Sequence, residues 1–247
     1  MQIQLLKDER IDNLEYKDLK IIQNRNGFCF GIDSILLSDF AKDIKKGSKV
    51  VDLGTGTGII GMLLCCKTEL SQLIGVEIQK EVCEMAKKSI KLNKLNDKFQ
   101  ILQANIKDID KYLNKESFDA IVTNPPYKKN LTGIQNENEK KLISRHEISA
   151  TLEDFIKVSS FLLKDHKDIY MVHRPDRLVD IIELLRKYKL EPKKLKIIYP
   201  KEEQSPKLIL VKATKNAKPF LKIEKPIYIY EKTGEYTKEI LKIYGKE

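Results

Sequence analysis

The stretch VDLGTGTGIIG, residues 51–61, joins a short apolar run to an apolar helical pattern through three glycines at alternate positions. Residues 49–53 have the pattern of a buried strand and residues 59–67 that of a helix, so the chain must turn sharply between them. Glycine suits both a tight turn and a close approach of the backbone to a ligand, because it has no Cβ atom. The stretch therefore predicts an α/β fold with a binding site at this turn.

Strand and helix patterns continue to alternate along the chain. Further strands are predicted at residues 72–78, 99–104, 118–123 and 168–173, and further helices at residues 80–93, 151–163 and 175–188. Such alternation predicts a mostly parallel sheet covered on both faces. Two successive strands, residues 194–200 and 207–213, then predict a hairpin and hence an antiparallel strand at the far edge of the sheet.

Composition predicts a soluble, single-domain protein. The chain has 247 residues, is 41% hydrophobic and contains no apolar run of membrane-spanning length. Residues 1–18 contain acids and no apolar signal-peptide core. Cys29, Cys65, Cys66 and Cys83 form no C-x-x-C pair, so we expect packed, reduced thiols, no metal, and a cytoplasmic location. We also expect a monomer.

Positive charge is concentrated in the last quarter of the chain. Residues 186–247 contain 17 Lys and Arg against 8 Asp and Glu, whereas the preceding 185 residues are nearly neutral. This distribution favours a polyanionic partner such as nucleic acid. Because only six of the 46 basic residues are arginine, a general bias toward lysine would explain the same charge.

The glycine turn carries a nucleotide-binding pattern. Gly54, Gly56 and Gly58 follow Asp52, and Glu77 stands at the end of the second strand, 19 residues beyond Gly58. A carboxylate at that position can accept hydrogen bonds from ribose hydroxyls. A surface carboxylate at Glu77 and a nicotinamide dinucleotide site are the alternatives. The combination resembles motif I and the acidic loop of S-adenosylmethionine (SAM) methyltransferases, which implies SAM as the cofactor.

The same resemblance extends to the end of the third strand. Methyltransferases of this type usually have an aspartate at the position of Asn105, to accept a hydrogen bond from the adenine amino group. The Asn105 amide oxygen can still accept, without the assistance of charge. The predicted cofactor site comprises Phe30, Asp33, Asp52, Gly54, Thr55, Gly56, Gly58, Glu77, Ile78, Asn105, Ile106 and Asn124.

The fourth strand runs into Asn124, Pro125, Pro126 and Tyr127, which we call the NPPY corner. The prolines hold the backbone stiff and extended at the edge of the sheet where open α/β folds bind ligands. A structural turn is the plain alternative. The corner resembles the catalytic motif of SAM-dependent enzymes that methylate a planar, conjugated nitrogen. That resemblance implies that Asn124 and the Pro125 carbonyl grip an amino group while Tyr127 stacks on the target.

Taken together, the motifs resemble one family. F-x-F-G-x-D-S-I-L-L, V-D-L-G-T-G-T-G, G-V-E-I-Q, N-P-P-Y, S-R-H-E and V-H-R-P-D-R-L occur in this order between residues 28 and 213. They resemble the bacterial tRNA adenine-N6 methyltransferases that modify the adenosine 3′ to the anticodon, position 37. The resemblance implies a class I methyltransferase (Rossmann-like) fold of seven strands in the order 3-2-1-4-5-7-6, and a tRNA anticodon stem-loop as substrate.

The resemblance also suggests where RNA binds. Tyr127, Arg145, His146 and Arg174 are the predicted substrate-binding residues, although Arg145, His146 and Glu147 would equally form a local ion pair that orders their loop. His173 is expected to pack in the core. We divide the domain into an N-terminal lid and helix region at residues 1–48, a catalytic core at 49–213 and a basic extension at 214–247.

Four alternative functions have to be weighed. Release-factor glutamine methyltransferases carry a similar tetrad, but they have a separate N-terminal helical domain, whereas 48 residues precede the first predicted strand. DNA adenine methyltransferases usually need a sizeable recognition domain, and ribosomal RNA guanine methyltransferases share the tetrad. A binding module without catalysis is disfavoured by the intact NPPY corner.

Overall fold

The structure, a computed structural model, describes residues 3–25, 31–127 and 150–246. Phe30, Arg145 and His146 of the predicted site lie outside the described residues. The strands are β1 Glu9–Asn13, β2 Lys20–Asn24, β3 Lys49–Leu53, β4 Gln72–Glu77, β5 Phe99–Gln103, β6 Phe118–Thr123, β7 Leu163–His173, β8 Leu190–Tyr199, β9 Leu208–Lys215, β10 Lys222–Ile223 and β11 Ile227–Tyr228. The helices are α1 Ile32–Phe40, α2 Ile59–Lys67, α3 Lys80–Leu92, α4 Leu152–Leu162, α5 Leu178–Lys187 and α6 Lys238–Ile243.

Nine of these strands form one central sheet. Its order is β10-β8-β9-β7-β6-β3-β4-β5, with β11 also paired to β8. Counted from β3 as strand 1, the seven predicted strands follow the order 3-2-1-4-5-7-6. The antiparallel strand is β9, which lies between β7 and β8 and not at the outermost edge. The sheet is also wider than predicted, because β10 and β11 add to β8 in parallel.

Local signals fix where the helices begin. Thr151 caps α4 through a reciprocal pair of hydrogen bonds with Asp154, which form a capping box. The helix predicted from residue 175 instead opens with a single 3₁₀ turn, Pro175–Arg177, and becomes α-helical at Leu178. Proline at the start tolerates this tighter turn because its missing N–H would be unsatisfied there anyway.

The sheet separates two apolar clusters. One face packs against α1, α2 and α3, with Leu36, Leu63 and Phe99 among its buried residues. The other packs against α4 and α5, with Phe155 and Leu185 among its buried residues. Both faces of the parallel strands are therefore covered, which is why those strands are apolar along their length.

The terminal segments join the first cluster. The hairpin of β1 and β2 places Ile21 there, and the Ile22 N–H donates to the Ser89 hydroxyl of α3 at 2.9 Å. At the other end, α6 buries Ile240 and Ile243 in the same cluster. The three-part division of the domain stays a prediction, although each part packs against the same sheet.

Within the described ranges, none of the helices has the length and apolar character needed to cross a bilayer. The same residues contain no group of three or more His, Cys, Asp and Glu side chains placed to hold a metal ion.

Candidate active site

The parallel strands bring their predicted site residues to one edge of the sheet. Leu53 is paired with both Val76 and Thr123, and Thr123 is paired with Met171. The Thr123 hydroxyl also donates to the Leu53 carbonyl at 2.8 Å, which ties the ends of β3 and β6 together. The glycine turn, Glu77, the NPPY corner and His173 therefore leave the sheet side by side at its carboxyl edge.

The turn of residues 54–58, the glycine loop, needs all three of its glycines. Gly54, Gly56 and Gly58 have φ angles of +70°, +56° and +84°, which are strained for residues with a Cβ. A Cβ on Gly54 would also lie 3.1 Å from the Phe155 ring, whereas one on Gly56 would meet nothing within 4 Å. The loop thus borders open space at Gly56, where a ligand has room to approach the backbone.

Asp52 lies beneath this loop. Its side chain is fully buried, and its Oδ2 accepts a hydrogen bond from the Thr55 hydroxyl at 2.6 Å. Burial raises the Asp52 pKa to about 7, because desolvation penalises the carboxylate. Asp52 and Thr55 were both predicted to bind the cofactor. Both side chains are buried beneath the loop, and their hydrogen bond stabilises the shape of the loop.

Glu77 is the carboxylate that faces the loop. Its Oε2 accepts from the Gly56 N–H at 3.1 Å, and its Oε1 accepts from the N–H groups of Ile78 and Gln79 at 2.9 Å each. A carboxylate has about four lone-pair positions, so about one remains free. To accept hydrogen bonds from two ribose hydroxyls, Glu77 must therefore share a lone pair between two donors or release one backbone N–H. The Gly56 N–H makes the longest of the three hydrogen bonds, so we expect it to be released first.

The neighbouring strand ends add an apolar group and an amide to this edge. Ile78 is 37% exposed, which leaves an apolar face beside Glu77. The Asn105 side chain is half-buried, and its amide oxygen accepts from the Lys107 N–H at 3.0 Å, which caps the following 3₁₀ turn. That oxygen has a second lone pair for a ligand. Ile106 is 6% exposed and belongs mainly to the core.

In the NPPY corner, Asn124 and Tyr127 are half-buried, Pro125 is buried and Pro126 is exposed. The Tyr127 hydroxyl donates to Asp33 Oδ2 at 2.6 Å. Burial and the Asp33 carboxylate both raise the Tyr127 pKa, so the phenol stays protonated. Sequence reasoning missed this contact, because no local pattern links residues 94 positions apart.

His173 packs against the Tyr127 ring. The two ring centroids are 5.0 Å apart and the planes are tilted by 56°. His173 is fully buried, and its Nδ1 accepts from the Arg174 backbone N–H at 2.8 Å. Desolvation lowers the His173 pKa to about 4, so the ring is neutral at physiological pH. The packing role predicted for His173 agrees with these contacts.

Arg174 is the substrate-binding candidate that faces solvent here. Its side chain is 56% exposed, and its Nε lies 3.3 Å from an Asp176 carboxylate oxygen. An exposed ion pair of this kind is weak and exchanges readily for another anion. Arg174 can therefore contact a phosphate beside the NPPY corner.

A mostly parallel sheet of this order, with a glycine turn after its first parallel strand and an NPPY corner after its fourth, defines a class I methyltransferase. The chain is similar in structure to a predicted O-methyltransferase from Agrobacterium tumefaciens, with a TM-score of 0.70, 20% identity, and coverage of 87% of this chain and 96% of that one. It is also similar to the Thermus thermophilus 16S rRNA N2 G1207 methyltransferase in complex with AdoMet and guanosine, with a TM-score of 0.61, 18% identity, and coverage of 86% and 52%.

The sequence profile of the methyltransferase small domain family matches residues 30–175, and this chain belongs to that family. Curated relatives are more specific. A tRNA1(Val) (adenine(37)-N6)-methyltransferase from Porphyromonas gingivalis is 28% identical over 81% of this chain and 79% of its own length. Proteins of the same description from Parabacteroides distasonis and Haemophilus influenzae are 26% and 32% identical, over 89% and 53% of this chain and 94% and 55% of their own lengths.

Proposed function

We propose that this protein transfers a methyl group from SAM to the exocyclic N6 of an adenosine in tRNA, at position 37 beside the anticodon. The observation that carries the proposal is the NPPY corner, which leaves the sheet next to the glycine loop. The description shared by the curated relatives supports the choice of tRNA adenine as substrate.

The residues of the carboxyl edge fit SAM. Glu77 offers a carboxylate lone pair to the ribose, Ile78 an apolar face to the adenine and Asn105 an amide oxygen to its amino group. Space beside Gly56 lets the backbone approach the ligand closely. When bound, SAM supplies an electrophilic methyl group attached to a positively charged sulfur.

The NPPY corner can make the target nitrogen more nucleophilic. The lone pair of adenine N6 is delocalised into the ring, so the amino group is a poor nucleophile. If the Asn124 side-chain oxygen and the Pro125 carbonyl each accept one N–H, the nitrogen is drawn toward tetrahedral geometry and its lone pair is localised. These two neutral acceptors also stabilise the positive charge that develops on the nitrogen. The extra proton can then pass to water, so no strong base is required.

Tyr127 offers a planar surface beside the gripped amino group. Stacking of a base on an aromatic ring is worth about 1–3 kcal/mol. The half-buried ring packs against His173, which holds it in place before a base arrives. An adenosine stacked within its loop would have to be flipped out to reach this site.

The carboxyl edge continues into a surface that suits single-stranded RNA. Because β8 and β11 both run parallel to β7, their ends lie on the side of the NPPY corner. Tyr199 and Tyr228 end these strands with ring centroids 5.4 Å apart, and exposed Lys207 and Lys232 lie nearby in the chain. Aromatic rings among lysines are typical of surfaces that bind unpaired nucleotides, which supports an anticodon loop as the partner.

A labelling assay with alternative substrates tests the proposal. The enzyme and tritiated SAM are incubated in separate reactions with one substrate each, which is tRNA lacking the modification, ribosomal RNA, release factor or duplex DNA. We expect label in tRNA alone. Label in the release factor or in DNA, with none in tRNA, would overturn the proposal.

We also propose a cytoplasmic location, which follows from a tRNA substrate, and a monomeric state, which sedimentation of the purified protein would test.

A further inference from the structure

We propose that Asp33 holds the Tyr127 ring in the orientation that stacks on the target base. Asp33 is then a positioning residue for the NPPY corner, contributed by a helix that precedes the parallel strands in the chain. The inference rests on the proposed methylation of a base amino group and deepens it.

The hydroxyl end of Tyr127 is fixed by a short hydrogen bond. Asp33 lies in the first turn of α1, and its Oδ2 accepts from the Tyr127 hydroxyl at 2.6 Å. A hydrogen bond from a hydroxyl to a carboxylate is charge-assisted and is stronger than one between neutral groups. Residues 34–38 of α1 are all buried, so the helix that carries Asp33 is itself held by the core.

The ring end of Tyr127 is fixed by packing. The ring centroids of Tyr127 and His173 are 5.0 Å apart, and His173 is fully buried at the end of β7. A tyrosine side chain has two main torsions, so one contact at the ring and one at the hydroxyl restrain both. The hydroxyl oxygen lies in the plane of the ring, so the hydrogen bond to Asp33 occupies an edge of the ring and does not cover the faces on which a base stacks.

Gly31 leaves the space that the Asp33 carboxylate occupies. A Cβ atom at Gly31 would lie 2.8 Å from Asp33 Oδ1, which is too close for a stable contact, so the carboxylate would have to move. Gly31 has a φ of −108°, an ordinary value for alanine, so Gly31→Ala adds no backbone strain. This substitution therefore displaces the carboxylate without removing it.

A ring that is oriented before binding favours the reaction with tRNA in particular. Ordering a mobile side chain during binding costs free energy, and a ring held by Asp33 and His173 has already lost that freedom. Loss of the hydrogen bond should therefore lower kcat/KM for tRNA. The KM for SAM should not change, since the ring is proposed to stack on the base and not on the cofactor.

The first test is kinetic. We expect Asp33→Ala and Tyr127→Phe each to lower kcat/KM for tRNA by about threefold to tenfold, because both remove the hydrogen bond and keep the ring. Asp33→Asn retains an oxygen that accepts from the phenol and should stay within about twofold of wild type. Gly31→Ala, which displaces the carboxylate, should also lower kcat/KM for tRNA.

The double variant Asp33→Ala/Tyr127→Phe decides whether the two residues act through one contact. It should match Tyr127→Phe alone, because the same hydrogen bond can be lost only once. Multiplied losses in the double variant would overturn the inference. So would a raised KM for SAM in both Asp33→Ala and Asp33→Asn, since that pattern would make the carboxylate a cofactor contact.

A second test needs no substrate. The protein is labelled with 3-fluorotyrosine, and the ¹⁹F NMR signal of Tyr127 is assigned by its absence in Tyr127→Phe. We expect this signal to shift and to narrow in Asp33→Ala, because the ring gains mobility, and to stay close to its wild-type position in Asp33→Asn. Asp39→Ala is the matched control and should leave the signal unchanged, because Asp39 lies on the same helix and pairs with Lys42 instead.

The two tests separate the inference from the proposed function. A wild-type enzyme that leaves tRNA unmethylated would end the proposed function, while the NMR comparison would still decide whether Asp33 orients the ring. A Tyr127 signal that keeps its position and width in Asp33→Ala would overturn the inference, whatever the enzyme methylates.

Discussion

At the scale of single residues, Asn124 is required to accept hydrogen bonds and not to remove a proton. Its amide is neutral, the Tyr127 phenol is protonated and the His173 imidazole is neutral. The Asp33 carboxylate already accepts a hydrogen bond from the Tyr127 hydroxyl, so none of these described groups is a strong base that is free to take a proton from the substrate. A methyl transfer that generates a cation on nitrogen suits such surroundings, because orientation and dipoles supply the stabilisation.

Replacement of Asn124 tests this role. Asn124→Ala should lower kcat by at least about a hundredfold, as is usual when a group that stabilises transition-state charge is removed, and should leave SAM affinity almost unchanged. Calorimetric titration with SAM and single-turnover methylation measure the two effects. Asn105→Ala is the matched control, since it should weaken SAM binding more than it slows transfer at saturating SAM. Equal loss of SAM affinity in both variants would remove Asn124 from the catalytic step.

His173 makes the stability of the fold depend on pH. Its pKa is about 4 in the folded protein, against 6.5 for an ordinary histidine. Between these values the unfolded chain binds the proton more readily, so folding loses stability as the pH falls from about 6.5 toward 4.

Denaturant unfolding of wild type and His173→Asn checks this dependence. On acidification from about pH 7 to about pH 5, the wild type should lose more unfolding free energy than the variant, because the variant has no imidazole to protonate. Parallel losses in the two proteins would show that His173 is not the group responsible.

At the scale of elements, the glycine loop combines a backbone requirement with open space. Gly47 provides a matched comparison, because it also has a positive φ, +77°, and a Cβ there would likewise meet nothing within 4 Å. Alanine at either position adds the same kind of strain, about 1–2 kcal/mol. Of these two glycines, only Gly56 lies at the proposed cofactor site, because its N–H donates to Glu77.

Gly56→Ala should therefore lower both stability and SAM affinity, whereas Gly47→Ala should lower stability by a similar amount and leave SAM affinity intact. Thermal unfolding and SAM titration on the two variants make the comparison. If the two variants bind SAM equally well, the glycine loop does not approach the cofactor as proposed.

Elements with strong local signals were predictable from the sequence. The bounds of β3 and α2 agree with the prediction, because an apolar run, a glycine turn and an apolar helical run follow each other directly. The hairpin of β1 and β2 was missed. Its turn uses positive φ angles at Glu15, Lys17 and Asp18 without any glycine, so the sequence carries no clear turn signal.

The candidate site was predictable in its parts but not in its connections. Strand ends and turns are local features, so Glu77 and the NPPY corner could be placed at one edge from the order of elements alone. The contact of Asp33 with Tyr127 depends on how α1 packs against the end of β6, which sequence periodicity does not encode. The burial of Asp52 likewise depends on tertiary packing.

At the scale of the whole molecule, we expect different roles for the two edges of the sheet, where its parallel strands end (the carboxyl edge) and where they begin (the amino edge). The carboxyl edge carries the proposed cofactor site and the Tyr199–Tyr228 pair, whereas the amino edge carries loops such as those of Lys46 and Lys115. If RNA lies along the carboxyl edge, lysines there should contribute to affinity and those at the opposite edge should not.

The double variant Lys207→Glu/Lys232→Glu should weaken tRNA binding and reduce the slope of log affinity against log salt by about one for each phosphate that is no longer neutralised. Lys46→Glu/Lys115→Glu makes the same change of charge at the other edge and should leave that slope nearly unchanged. Filter binding across a salt series measures both. Equal effects would mean that overall charge, and not this edge, determines binding.

The NPPY corner is proposed to grip an exocyclic amino group, and the position of the transferred methyl tests this most directly. Unmodified tRNA is treated with the enzyme and SAM carrying a deuterated methyl group, then digested to nucleosides for chromatography and mass spectrometry. We predict that the label elutes as N6-methyladenosine and is lost in Asn124→Ala. Label on a ring nitrogen such as N1, or on a ribose oxygen, would contradict the proposed grip.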